Sequence, residues 1–161
     1  MPNNTTAVIG AGLATTTATT TAAASTPHSA IIKRTWTNAE VVAGAGGTSV
    51  NISVGKLPAN SRPAAIYMIN DTQATFAAGT LTGSVGVAGT AYVDWIVASD
   101  LKATGATVYG NAAAEKGSEF GSLFYTTAKD IYLQVLAGAG DLANVTTCTG
   151  TIYIEYVTYP A

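Results

Sequence analysis

Apolar and polar residues alternate along two stretches of the chain, in the pattern that places every second side chain on one face of a β-strand. The two stretches are residues 130–136 and 151–157. The residues that share a face are Ile131, Leu133 and Val135 in the first stretch, and Ile152, Ile154 and Tyr156 in the second. Less regular alternation predicts six further strands, at residues 31–37, 49–54, 64–70, 91–97, 106–109 and 122–127.

Turn sequences rich in Gly, Pro, Asn or Asp separate most of these strands, at residues 44–47, 57–60, 70–71, 117–118 and 138–141. Roughly eight short strands with a turn about every ten residues indicate an all-β fold, an antiparallel two-sheet sandwich. The pattern does not choose between a jelly roll and an immunoglobulin-like topology. Three consecutive alanines predict one short helix at residues 111–116, and no other segment has a convincing helical period.

The first thirty residues differ from the rest, because they contain no Asp, Glu, Lys or Arg and consist mostly of Thr, Ala, Gly, Asn and Ser. They have no periodic apolar face with which to form a core. Such a segment is typical of a disordered tail, or of an extended arm that lies across a neighbouring chain or adds a strand to its sheet. We therefore divide the chain into an N-terminal arm, residues 1–30, and a β-sandwich domain, residues 31–161.

Charge is scarce along the whole chain: charged residues make up 10%, against about 25% in an average protein, and the mean hydropathy is +0.30. A surface with so few charges predicts that other protein covers part of it. The net charge of −2 argues against a nucleic-acid partner, which would require clustered Lys and Arg. Because no run approaches the ~20 apolar residues of a membrane-spanning helix, we expect no membrane partner either.

A glycine-rich stretch from Val8 to Leu13 has the first two glycines of the dinucleotide-binding fingerprint. The third glycine, which lets the following helix pack on the strand, is replaced by Thr15. The threonine runs that follow disfavour a helix, and no acidic residue occurs before Glu40 to bind the ribose. We therefore expect no cofactor.

Candidate catalytic and metal-binding residues are few. His28 and Cys148 are the single His and Cys of the chain, so they can build neither a zinc site nor a convincing nucleophile with its base. The acidic residues are scattered, and the nearest pair, Glu115 and Glu119, flanks Gly117 in a predicted loop where ordinary solvation is expected. The sequence therefore predicts no catalytic site, no metal site and no enzyme.

Aromatic residues in or beside the predicted strands offer a binding alternative, because an exposed row of them can hold a sugar ring or the apolar surface of a partner. Alternation places Trp95 with Val93 and Val97 on the more apolar face, so we expect Trp95 in the core. Trp36 stands among Lys33, Arg34 and Thr35, near the junction with the arm, and we expect it at an interface. The full set of candidate interface residues is Val8, Ile9, Leu13, Pro27, Trp36 and Tyr159.

Two longer stretches resemble small virion proteins of tailed bacteriophages. Residues 55–70, GKLPANSRPAAIYMIN, look like the passage in which a Gly-x-Leu-Pro turn precedes a long apolar strand. Residues 130–157, DIYLQVLAGAGDLANVTTCTGTIYIEYV, are similar to the ending of those proteins, where a Gly-Ala-rich loop joins the last two strands. Within that group, the chain most resembles the capsid decoration, or cement, proteins.

The resemblance implies a sandwich on the outside of an icosahedral shell, often trimeric, that braces the major capsid protein. Its expected partners are therefore the major capsid protein and copies of itself. The group also includes head fibres and tail components, so an adhesive module that binds host-surface carbohydrate is the alternative. The arm is longer and less charged than the resemblance leads us to expect.

Overall fold

A computed structural model describes residues 27–87, 95–103, 107–109 and 124–160, the third of these ranges by its backbone alone. Over these residues the chain forms eight strands, one short helix and one 3₁₀ turn, Leu142–Asn144. In chain order the elements are β1 (His28–Trp36), α1 (Asn38–Val42), β2 (Ser49–Leu57), β3 (Ser61–Thr75), β4 (Leu81–Val87), β5 (Ile96–Asp100), β6 (Thr107–Tyr109), β7 (Lys129–Ala137) and β8 (Thr147–Thr158).

The strands form two four-stranded antiparallel sheets. The first sheet has the order β1-β8-β3-β6, and the second has the order β2-β7-β4-β5. Strand β1 thus pairs with β8, β2 with β7, β3 with β6 and β4 with β5, which is the arrangement obtained by rolling up one long hairpin. The predicted two-sheet sandwich is confirmed, and its topology is that of a jelly roll.

The inward faces of both sheets form one continuous hydrophobic core. The two faces predicted from alternation contribute its centre, since Ile131, Leu133, Val135, Ile152 and Ile154 are completely buried. Each such side chain contributes roughly 1.5–3 kcal/mol by leaving water. The predicted burial of Trp95 is also confirmed, because this residue is 0% exposed.

Trp36 is also completely buried, at the end of β1. Its indole ring lies over Gly150, its partner on β8, and a Cβ on that residue would stand 2.1 Å from Trp36 Cη2. A glycine is therefore required on β8 for the ring to enter the core. Our expectation of Trp36 at an interface is corrected, because the side chain has no exposed surface with which to contact a partner.

Strand β4 was not predicted, because its sequence LTGSVGV contains two glycines that weaken a strand pattern. The structure explains Gly83, which lies under the core side chains. A Cβ there would stand 3.0 Å from Leu101 Cδ2 and 3.3 Å from Leu133 Cδ1. This glycine thus marks a close approach of side chains rather than a turn.

Helix α1 was also not predicted, because its five residues are too few to show a period. The carboxylate of Glu40 accepts hydrogen bonds from the Thr37 amide, at 2.9 Å, and from the Thr37 hydroxyl, at 3.2 Å. The pattern of Thr at the cap followed three residues later by Glu is the sequence signal for this helix start.

Several predicted boundaries shift. Strand β1 begins at His28, inside the residues we assigned to the arm, and residues 1–26 lie outside the described part of the chain. The predicted strand 91–97 corresponds to β5, which begins at Ile96, and residues 91–94 are outside the description. In the predicted strand 122–127, the described residues form an isolated bridge between Tyr125 and Ser61. The predicted helix 111–116 is outside the description.

Candidate assembly interface

The edges of the two sheets are the places where this fold can join another chain, because an edge strand presents unpaired backbone N–H and C=O groups. Three of the four edges are interrupted or short. Strand β2 has a register shift between Ser53 and Gly55. Strand β5 has five residues, with Ala98 at φ +47° and an irregular register against β4. The described part of β6 has three residues. Bulges and short length are the devices by which proteins protect such edges.

Strand β1 lacks these devices. Its nine residues pair one to one with β8, from His28 opposite Thr158 to Trp36 opposite Gly150, with no shift in register. The first four residues, His28–Ile31, are all exposed. The charges of β1, Lys33 and Arg34, lie in its second half. Within the described ranges, β8 is the only strand that pairs with β1. Residues 28–32, called the open half of β1 below, are therefore a regular edge that can accept an added strand.

A shallow groove lies along this open half. Its volume is about 340 Å³, and Ser29, Ala30, Ile31 and Glu155 line it. Ile31 is 60% exposed, more than any other large hydrophobic side chain in the described part of the chain. Exposed apolar surface beside an unpaired edge favours contact with another protein.

Arg34 lies in the second half of β1, beside the neighbouring edge strand β2. Its Nε donates to the carbonyl oxygen of Ser53 at 3.1 Å, and Nη1 donates to the carbonyl oxygen of Thr35 at 2.7 Å. Nη2 forms an ion pair with Glu40, the third residue of α1. One side chain thus ties β1, β2 and α1 together and occupies a carbonyl group of the β2 edge.

Pro27 and Tyr159 lie at the same end of the first sheet, because His28 pairs with Thr158. Pro27 is exposed and Tyr159 is half-buried. The ring of Tyr159 meets Phe124 edge to face, at 5.8 Å between centroids, and Arg62 lies 5.6 Å from its centre. The structure therefore brings two of the candidate interface residues together. The candidates Val8, Ile9 and Leu13 are outside the described residues.

The outer faces of the two sheets differ in chemistry. On the first sheet, Tyr67 and Tyr153 stack at 4.8 Å, and Lys33 lies 5.3 Å from the centre of the Tyr153 ring. On the second sheet, Asn51 accepts a hydrogen bond from Gln134 at 3.3 Å, beside the exposed Leu136. The first face thus carries a stacked tyrosine pair with a lysine beside it, and the second carries a neutral amide pair and an exposed ion pair between Lys56 and Asp130.

The described residues offer little for catalysis or metal binding. Among them, no group of three or more His, Cys, Asp or Glu side chains is arranged to hold a metal ion. His28 is exposed at the edge of the first sheet, and Cys148 is buried in the core, where burial raises the pKa of its thiol. A buried thiol of raised pKa is a poor nucleophile. The described helices include none that is long and apolar enough to span a bilayer.

Comparison with solved structures gives two chains of similar fold. One belongs to the capsid of Ralstonia phage GP4, with a TM-score of 0.55 and 21% identity over 86% of this chain and 88% of that chain. The other belongs to the capsid asymmetric unit of cyanophage Pam1, with a TM-score of 0.55 and 16% identity over 98% of this chain and 99% of that one. The likeness is one of fold. No protein-family model and no curated protein matches the sequence.

The open edge of β1 could not be recognised from sequence, because it depends on the order of strands in the sheet. A partial signal exists in the segment His28–Ile32, which has no Pro, Lys, Arg, Asp or Glu. Those are the residues with which edge strands are usually protected.

Proposed function

We propose that this chain is a structural protein of a phage virion, and specifically a decoration protein that binds and stabilises the capsid shell. The observation that carries this proposal is the match to two phage capsid chains along most of their length. In both matches the shared fold accounts for nearly the whole of the other chain. A single sandwich of this size is therefore a unit that such capsids use.

The surface of the sandwich supports a binding role. Its open β1 edge, exposed Ile31 and low charge favour contacts that bury backbone and apolar groups at small desolvation cost. Many copies on one shell, each making modest contacts, give durable attachment without a deep pocket. This agrees with the shallow groove at β1.

The partners in this proposal are the major capsid protein and further copies of this chain. A contact between the N-terminal segment of one copy and the edge of the next is heterologous, and a heterologous contact closes into a ring when the rotation between copies allows it. The resemblance to capsid decoration proteins implies a trimer, and a trimer is therefore the state we expect.

The proposal is tested on phage particles that contain this protein. Antibodies against the sandwich should label intact particles, and mass spectrometry of purified particles should give a fixed number of copies per shell. Particles stripped of the protein by mild chaotrope should release their genome at a lower temperature, and adding the purified full chain back should restore the original temperature. Unlabelled particles, or stripped particles with unchanged stability, would contradict the proposal.

A further inference from the structure

We infer that the open half of β1 is the docking site for residues 13–21 of a second copy of this chain, which adds as a strand to the edge of the first sheet. The inference deepens the proposed function and rests on its premise that copies of the chain assemble. In this arrangement the N-terminal segment of one copy pairs with strand β1 of the next copy.

The receiving strand has the properties that strand addition requires. It is an edge strand, its register against β8 is unbroken over nine residues, and its first four residues are exposed. Main-chain hydrogen bonds supply the affinity in this mode of binding, and alternate side chains rest on the flanking surface. Ile31 and the groove beside it offer that flanking surface.

The added segment has matching chemistry. Residues 13–21 read LATTTATTT, nine residues with six threonines and no charge. Threonine is β-branched and favours extended backbone, and short side chains lose little rotamer freedom on ordering. A segment without charges also avoids the cost of desolvating them against Ile31.

The sequence between the segment and β1 carries no signal for a tight hairpin back onto its own sheet. Pairing with its own β1 would require a hairpin turn within residues 22–27, which read AAASTP. This sequence has no Asn-Gly, Asp-Gly or Gly-Gly pair, which is the sequence signal of a two-residue hairpin turn. A proline such as Pro27 also disfavours helical backbone at the residue before it. The six residues span at most about 20 Å, enough to reach an adjoining copy.

Cysteine cross-linking tests the inference on the full chain. One chain carries Ser29→Cys in the open half of β1, and a second chain of different mass carries a cysteine at one position of residues 13–21, each position in turn. The two chains are produced together and oxidised mildly. Directly opposed residues on neighbouring strands have Cα separations that suit a disulfide. The native Cys148 is buried, and chains with no added cysteine show whether it contributes.

We expect a product with one chain of each mass. It should be strongest at the one position opposite Ser29 and weaker at positions two residues away, because successive side chains of a strand point to opposite faces. The matched control replaces Ser29→Cys with Asn51→Cys, an exposed position on the neighbouring edge strand β2. That control should give at least about tenfold less product at every position of the segment.

Three results would overturn the inference. The first comes from an additional chain that carries Ser29→Cys and a segment cysteine together: it would be a cross-link within that one chain, with its mass still monomeric. The second is equal cross-linking to Ser29→Cys and Asn51→Cys, and the third is no cross-link at any of the nine positions. If the chains give any of these results but still restore the stability of stripped particles, the inference is wrong and the proposed function is supported. Chains that cross-link as expected but never bind particles contradict the proposed function alone.

Discussion

Strands β1 and β2 invite comparison because both are nine-residue edge strands, each is the outer strand of its own sheet, and they lie next to each other in the sandwich. Their exposure to other chains differs. The β2 edge is bent by the shift between Ser53 and Gly55, and the Ser53 carbonyl is occupied by Arg34. The first half of β1 has neither a bulge nor a charged residue.

The difference shows that edge protection in this fold is local. One half of one strand is left regular and exposed, while the adjoining strand carries a bulge and accepts a hydrogen bond from an arginine. A protein that avoided all association would gain by protecting both edges. We interpret the contrast as the mark of a surface used for assembly, and the predictions below test it from the largest expected effect to the smallest.

The largest effect is expected at the buried end of β1. Trp36→Ala removes a completely buried indole that lies over Gly150 and leaves a large cavity. We expect the free energy of unfolding to fall by about 3–5 kcal/mol, measured by urea denaturation of the purified chain. A loss below about 1 kcal/mol would show that the end of β1 is not anchored in the core as described.

The second prediction concerns Ile31, in the open half of the same strand. Ile31→Lys places a charge beside the groove, and we expect self-association to weaken at least about tenfold, or ~1.4 kcal/mol. Stability should change by no more than about 0.5 kcal/mol, because Ile31 is an exposed position. Sedimentation analysis measures the association, and thermal melting measures the stability.

The matched control for this substitution is Leu136→Lys on β7. Leu136 is 44% exposed, and it lies on the outer face of the second sheet. The same change of charge there should leave association within about twofold. If Leu136→Lys weakens association as much as Ile31→Lys does, the contrast between the two sheets is wrong.

The third prediction alters the β2 edge itself. Arg34→Ala removes the hydrogen bond to the Ser53 carbonyl and the ion pair with Glu40. Because the side chains of Arg34 and Glu40 are 38% and 32% exposed and their ion pair is therefore screened by water, we expect a stability loss of no more than about 1 kcal/mol. Hydrogen exchange should become faster around Ser53 and in helix α1, and remain unchanged in β7. Faster exchange spread evenly over the sandwich would contradict a local role for Arg34.

The last prediction changes no residue and so leaves the stability of the chain unaltered; it concerns Cys148. Burial raises the pKa of its thiol and keeps reagents out, so the native chain should react with a water-soluble thiol reagent many times more slowly than the urea-unfolded chain. The reaction is followed by mass spectrometry at pH 8. Equal rates in the two states would show that the core opens at β8 far more readily than the packing around Trp36 and Gly150 implies.

The strands that sequence predicted well are those that satisfy the alternation rule through their own residues. Strands β7 and β8 bury one face in the core, as the complete burial of Ile131, Leu133, Ile152 and Ile154 shows. Strand β4 was missed because Gly83 is required by Leu101 and Leu133, which pack against it from elsewhere in the chain. The glycine in β4 can therefore be explained only once the packing of the two sheets is known.

Trp36 shows the same limit for the candidate interface. Its neighbours Lys33, Arg34 and Thr35 predicted a surface position, yet the ring enters the core because Gly150, distant in sequence, leaves space for it. The exposure of Ile31 likewise follows from the position of β1 at a sheet edge, which is set by its pairing with β8. Whether a residue of β1 lies at the surface or in the core is therefore decided in part by residues of another strand.

Hydrogen–deuterium exchange of the β1 amides, in the full chain and in a chain lacking residues 1–26, tests the central claim most directly. If a second copy covers the open half of β1, amides in His28–Ile32 should be protected in the full chain and exchange at least about tenfold faster in the shortened chain, while β2 is unchanged. Equal exchange of His28–Ile32 in the two chains would contradict the claim that this edge is where copies join.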